Sequence, residues 1–333
     1  MSTSTSTSTS TSTSTSTSTV TGTSSDTTMD ISRERFWQAL DTELAGVPAA
    51  PELLHDPFRS TEDYTFYTVR LSSIGRHGSG SYRIAGFLSI PTRQGPHPAL
   101  LELPRHGSVN HTPHRNERER FVVFTVMHRG QRLADSPYRA PYPGLLTEEI
   151  TSPDTWIYRG IVADCLRAAE FLFGLDGVDP TRLAAVGDDL GVLTAARRPI
   201  FAALRVDSLL LTRLLSRSSA TVSYPLEELN DLRRHASAAL AEVEHTLDQF
   251  DPLAHAQTVT ARTLVSASAD GTDTAAAELI HALGDTGEQF AVTHVDGLDA
   301  DGRDAWLADA LRVEARSRFL TVSVPLPGER SAS

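Results

Sequence analysis

The sequence predicts an α/β fold: a mostly parallel sheet that starts with an antiparallel hairpin and carries helices on both faces. Three observations support this. Residues 64–72 and 82–90 alternate apolar and polar side chains, are rich in β-branched and aromatic residues, and are joined by a Gly/Ser/His turn at 75–80, as in a hairpin. Downstream, short continuous apolar runs alternate with stretches of helical spacing, the pattern of strands buried on both faces by crossover helices. Finally, the apolar run 183–186 enters Gly187-Asp188-Asp189-Leu190-Gly191 and then a helical pattern to residue 198: strand, tight turn and helix, with glycines four apart.

Taken in order, the chain opens with an alternating Ser/Thr repeat over residues 2–19, and residues 1–28 read as a disordered tail because they carry no apolar payload. No apolar segment resembles a signal peptide or a membrane span. Residues 29–320 are expected to form one domain, and 321–333 a flexible tail rich in Pro and Ser. Phe36-Trp37 opens a helix that runs to Leu44, with Ser32 near its start. Residues 91–98 read as loop, and 99–103 and 121–126 as buried strands. Between those two strands lie Pro104-Arg105-His106-Gly107 and a polar segment, and residues 108–156 read as a loop or lid. Residues 157–173 are helical by spacing, and 206–211 form a further buried strand. Residues 212–257 read as a helical insertion. Residues 263–267 form a strand that ends in Ser268-Ala-Asp270, 273–283 a helix, 289–294 a strand and 303–316 a last helix.

Composition narrows the function. A net charge of −12 and an acidic pI near 5.4 argue against sequence-independent nucleic-acid binding, which needs a basic surface. The single cysteine, Cys165, allows no internal disulfide or cysteine metal cluster and suits a cytoplasmic protein. His106, His111, His114 and His128 do not have the spacing of a zinc site, so neither metal nor other cofactor is expected. Ligands of such sheets bind outside the carboxyl ends of the strands. There the sequence places Arg105, His106, Gly107, His128, Asp189, Leu190 and Asp270, with Tyr142 and Trp156 in or beside the lid. The partner expected is a small molecule.

Residues 156–172, Val178-Asp-Pro-Thr-Arg-Leu183 and the following glycine turn resemble the acetyl xylan esterase / cephalosporin-C deacetylase family of α/β-hydrolases. Phe36-Trp37, Arg83-Ile-Ala-Gly-Phe-Leu88, His106-Gly107, Arg129-Gly-Gln131 and Thr246-Leu-Asp-Gln-Phe-Asp-Pro252 add to the resemblance, which spans roughly residues 30–320. It implies the α/β-hydrolase fold, a Ser–Asp–His triad and a homo-oligomer. In this chain Asp189 stands where the nucleophilic serine belongs, Asp270 matches the acid, and Leu298 stands where the histidine belongs.

With serine and histidine both absent, an ordinary acyl-serine route is not expected. The first expectation is non-hydrolytic acid/base chemistry by Asp189, His106 and Asp270: carbon–carbon bond formation, addition or cyclisation on an apolar or aromatic natural product, in a biosynthetic setting. Two alternatives stand beside it: a hydrolase, with an Asp189 nucleophile or residual acetyl-esterase activity, and a ligand-binding pseudoenzyme. The structural reading of Asp189 is a helix N-cap, and that of Asp270 a turn former.

Overall fold

A computed structural model describes residues 1, 23–76, 79–103, 105–106, 115–131, 134 and 141–316. The chain divides into two compact units, Met1–Ala39 and Leu40–Ser333. In the first, the described stretch is helical and belongs to α1 (Thr23–Ala45), where Phe36 and Trp37 meet edge to face at 5.2 Å. The helix thus begins well ahead of Phe36, inside the stretch expected to be disordered. Its first turns lack an apolar stripe, so hydrophobic spacing gave no sign of them.

The second unit is organised by a nine-stranded sheet in the order β1-β2-β3-β5-β4-β6-β7-β8-β9 among the described residues. Its strands are β1 (Glu52–His55), β2 (Tyr64–Arg76), β3 (Ser79–Pro91), β4 (His97–Glu102), β5 (Val122–Met127), β6 (Val178–Asp188), β7 (Ala203–Ser208), β8 (Arg262–Ser268) and β9 (Gly287–Val292). β1, β2, β3 and β5 pair antiparallel, and everything from β5 through β4 to β9 is parallel. This is the α/β-hydrolase architecture that the sequence implied. The hairpin is longer than its alternating pattern, because Leu71 to Ile74 on β2 are buried without a break. The edge strand β1 escaped notice: it is four residues long and fully exposed, so no face of it carries a pattern. β4 starts at His97, inside the expected loop, where the His97 N–H donates to the Gly177 carbonyl at 2.8 Å.

The helices of this unit are α2 (Arg115–Arg118), α3 (Ile157–Phe173), α4 (Leu190–Arg197), α5 (Leu214–Ser218), α6 (Glu227–His235), α7 (Leu240–Phe250), α8 (Thr274–Leu283) and α9 (Asp296–Ala310). α3 is the most buried: its apolar face, from Ile157 and Ile161 through Cys165 to Leu172, is covered completely. Within the helix, Asp164 forms a buried pair with Arg129, which enters from the end of β5 at 2.7 Å. β7 lies three residues earlier than the apolar run 206–211 suggested. Leu210 and Leu211 are buried, but in the bend after the strand.

The topology fixes the site. From β4 the chain goes to β5 on one side and then to β6 on the other. The carboxyl ends of β4 and β6 are therefore neighbours at the point where the winding reverses, the usual position of a crevice in such sheets.

Candidate active site

At the end of β6 the chain makes its glycine turn. A Cβ on Gly187 would clash with the Leu103 carbonyl oxygen, and one on Gly191 would stand 2.7 Å from Leu204 Cδ1. Both glycines thus serve close packing of neighbouring elements, and neither has the positive φ that would make the turn itself require glycine. The central residue is not strained, since Asp189 has φ −70° and ψ −1°, ordinary right-handed helical backbone.

Asp189 is fully buried and faces the sheet's next connection instead of a crevice. Its Oδ1 accepts from the Leu210 and Leu211 N–H groups at 2.9 and 3.1 Å. Its Oδ2 accepts from the Thr212 N–H at 2.7 Å and the Thr212 hydroxyl at 2.8 Å. Four donors therefore meet one carboxylate, which holds the bend between β7 and α5. Asp189 makes no side-chain cap on α4. The neighbouring Asp188 takes that role, accepting the Leu190 N–H at 3.1 Å. This occupies the backbone donor that would face an oxyanion after an elbow nucleophile. Burial first, and then the adjacent Asp189 charge, push the Asp188 carboxyl well above the usual carboxylate range.

The other sequence candidates fall into separate places. Asp270 is exposed and its Oδ1 accepts from the Ser268 hydroxyl, the Thr272 hydroxyl and the Thr272 N–H. Hydrogen bonds from Ser268 and Thr272 lower its pKa to about 2. No described histidine bonds to it. Leu298 is 64 % exposed on α9, a helix that begins at Asp296 instead of in the 303–316 stretch. Tyr142 is 66 % exposed and packs edge to face on His235 at 5.5 Å. Trp156 is buried, donates to the Leu146 carbonyl at 2.8 Å and stacks on Tyr158 at 4.7 Å. Leu190 is buried in the first turn of α4, and Arg105 is exposed. Gly107 lies outside the described residues.

His128 is buried behind β5, with Nδ1 on the Arg129 carbonyl at 2.8 Å and Nε2 3.2 Å from Gln131 Nε2. Those two contacts require a proton on Nδ1 and a lone pair on Nε2. Burial lowers the pKa of His128 and agrees with that neutral ring. Among the described residues no three His, Cys, Asp or Glu side chains gather as a metal ion would need.

His106, just past β4, has a different environment. Its side chain is 4 % exposed. Nδ1 lies 2.6 Å from the Tyr158 hydroxyl, and the two rings stack at 6.1 Å. Nε2 has no hydrogen-bond partner among the described residues; the Glu228 Oε1 oxygen stands 3.8 Å away. Glu228 is held on α6 by the Leu146 N–H, which donates to Oε2 at 2.7 Å. Its carboxylate fills the space beside Gly144, which has no side chain to obstruct it. Tyr224 stands 5.8 Å from the imidazole, ring to ring. Tyr158 is held far above the ordinary phenol range by burial first, then by the charges of Asp188, Asp189 and Glu228, so it keeps its proton.

Sequence reasoning missed Tyr158, Glu228 and Tyr224. Tyr158 lies in the Tyr-Arg-Gly run that carried the resemblance, so the motif offered a signal. Glu228 offered none: it sits among many Glu and Leu residues, and only the tertiary fold brings it to His106.

A profile of the acetyl xylan esterase (AXE1) family matches residues 24–267, nearly three-quarters of the chain. The chain belongs to the acetyl xylan esterase family. The match stops ahead of Asp270 and Leu298, the segment where the acid and histidine are expected. Among solved structures, an acetyl xylan esterase from Paenibacillus sp. R4 superposes with a TM-score of 0.71 at 20 % identity, over 86 % of this chain and 95 % of that one. Acetyl xylan esterase 1 from Thermoanaerobacterium sp. JW/SL YS485 gives 0.67 at 16 % identity, over 84 % and 93 %. A putative acetyl xylan esterase from Bacteroides fragilis gives 0.52 at 10 % identity, over 82 % and 77 %. These structures share the fold of the acetyl xylan esterase family member described here.

Membership in an esterase family corrects the expected reaction. Carbon–carbon bond formation, addition or cyclisation on a natural product was inferred from the missing serine and histidine alone, and the family matched is one of ester hydrolases. The hydrolase alternative fits better. No described helix is long and apolar enough to cross a membrane.

Proposed function

We propose that this chain hydrolyses small acyl esters, acetyl esters first among them, with His106 as general base for direct attack by water. The observation that carries this is the His106 Nε2 atom. It is buried and without a hydrogen-bond partner among the described residues, just past the carboxyl end of β4, while Nδ1 contacts Tyr158. Of the two tautomers that the Tyr158 contact allows, we assign the one in which Nδ1–H donates to the Tyr158 oxygen, which leaves the Nε2 lone pair for catalysis.

In the first step Nε2 takes a proton from water as the water oxygen bonds to the acyl carbon, and the carbonyl electron pair moves onto oxygen. The imidazolium formed faces Glu228, whose carboxylate offsets the new charge. Asp188, whose carboxyl burial pushes well above the usual carboxylate range, is assigned the role of offering an O–H at the adjacent strand end to the oxyanion. Collapse breaks the bond to the alkoxy oxygen, and the leaving group takes the proton back from Nε2. Acid and alcohol result, and no acyl-enzyme forms.

An Asp189 nucleophile finds no such support, because both its oxygens are occupied by donors from residues 210–212. Asp270 and Leu298 have no part in this scheme.

The test is p-nitrophenyl acetate hydrolysis by the wild type, His106→Gln and Glu228→Gln, with intact mass recorded during turnover. His106→Gln should lose at least about 100-fold in kcat and Glu228→Gln about 10-fold, with no acetylated protein trapped. Absence of turnover above the buffer rate, or turnover unchanged in His106→Gln, would overturn the reading.

A further inference from the structure

At the opposite end of the same parallel strands lies a second cleft, of about 260 Å³. Arg93 precedes β4, His97 begins it, Arg120 precedes β5, Arg182 lies in the first half of β6, and Arg312 and Arg316 follow α9. Five guanidinium groups therefore converge on one cleft in a chain whose net charge is −12. The sequence contains no lysine, so all of its 30 basic residues are arginine, the side chain whose planar fork matches an oxyanion.

Not all of that charge is spoken for. Arg120 is buried and paired with Asp304, and it also donates to the Glu314 carbonyl at 2.9 Å. Arg182 is paired with Asp179 at 2.7 Å and Arg316 with Glu119 at 3.0 Å. The Glu314 side chain adds a carboxylate to the lining. Arg93 and Arg312, by contrast, make no ion pair with a carboxylate among the described residues. The Arg93 Nη2 donates only to the Arg120 carbonyl, at 2.9 Å, and the Arg93 carbonyl meets His97 Nε2 at 2.9 Å, which anchors the segment. Among the described residues Arg312 has no side-chain partner, and it sits at φ +55°, a left-handed conformation that costs a non-glycine residue about 1 kcal/mol or more. His97 senses the local field: burial lowers its pKa first, and the charges of Arg93 and Arg182 lower it further.

We propose that this cleft binds a phosphate-class oxyanion, either free phosphate or the phosphoryl group of a small metabolite, with Arg93 and Arg312 as its principal ligands. The site stands apart from His106, and the proposal does not depend on the ester-hydrolase reading. Arginines from separate segments suit a tetrahedral, multiply charged anion better than a single planar carboxylate, and the paired arginines supply a fixed frame around the two free ones. Ligation would tie the segment after α9 to the start of β4, so the anion should stabilise the folded chain.

The experiment is thermal unfolding of the full chain against rising inorganic phosphate, with sodium chloride at matched ionic strength as reference and phenyl phosphate as a second arm. Arg93→Gln/Arg312→Gln is run beside the wild type, and Arg213→Gln, an exposed arginine elsewhere, controls for loss of positive charge. Phosphate should raise Tm saturably in the wild type and in Arg213→Gln. The double variant should need at least tenfold more phosphate for the same rise. Half-saturation by phenyl phosphate at lower concentration than phosphate assigns the site to a phosphorylated metabolite, and the reverse order assigns it to free phosphate. A rise no greater than that in chloride, or an equal response in the double variant, would overturn the proposal.

Discussion

Asp189 shows how one side chain can keep a motif's place and change its work. A serine at this position presents its oxygen to substrate, whereas the aspartate turns inward and gathers four hydrogen bonds from residues 210–212. Those four donors satisfy the hydrogen-bonding capacity of a buried carboxylate that would otherwise be costly to bury. Asp189→Asn puts an amide N–H₂ group against N–H donors and should cost about 3 kcal/mol, read from the urea midpoint. Unchanged stability would remove Asp189 from its anchoring role. Of the histidines at the strand ends, His128 is saturated by the Arg129 carbonyl and Gln131, while His106 keeps a vacant nitrogen. That difference was invisible in the sequence, where both simply follow a buried strand. His106 was legible as a candidate because it follows a buried strand at the sheet's carboxyl edge; Glu228 was not, because nothing local marks a glutamate that meets a histidine more than a hundred residues away.

At the scale of elements, the turn between β6 and α4 is held by steric necessity. The Gly187 position abuts the Leu103 carbonyl oxygen, part of the backbone, whereas the Gly191 position meets only the movable Leu204 side chain. Gly187→Ala should therefore destabilise the fold by about 2 kcal/mol or more and Gly191→Ala by clearly less, measured side by side by denaturant unfolding. Equal losses would mean that the turn, and not the contact with β4, selects glycine at 187. The strands and helices that sequence patterning found are those with one face or both faces buried over several residues: β2, β3, β5, α3 and α8. Those it displaced lie where the pattern misleads. The apolar residues Leu210 and Leu211 read as strand but are buried in a bend, because Asp189 draws their N–H groups away from any sheet ladder. The start of α9 was hidden by Asp296-Gly297, which reads as a turn.

For the molecule as a whole, acidity acts in two directions. Asp188 has a folded pKa raised well above 3.8. Its protonated form is the one the fold prefers, so its contribution to stability is complete below the unfolded value and is lost as pH rises toward the folded one. Asp179 and Asp270, each lowered to about 2, work oppositely: their contribution is present above 3.8 and is lost as pH falls through about 2. Asp270 is exposed and Asp179 lies half-buried in a surface ion pair with Arg182, so their effect on stability is small. Replacing Asp188 by Asn keeps an acceptor for the Leu190 N–H and removes the ionisation. The stability of Asp188→Asn relative to wild type should accordingly climb as pH rises from about 4 toward 7, followed by urea unfolding at each pH. A gap independent of pH would place Asp188 in water in the folded state.

The anchor at Asp189 also bears on how such a chain could change over evolutionary time. A serine at 189 would supply a hydroxyl, but that oxygen has two lone pairs for four donors, three of them main-chain N–H groups that only a proline could remove. The bend that carries the chain from β7 into α5 has been built around the carboxylate. A lone Asp189→Ser change would leave donors of that bend unmet, so a hydroxyl at 189 could be accommodated only together with a second change in residues 210–212.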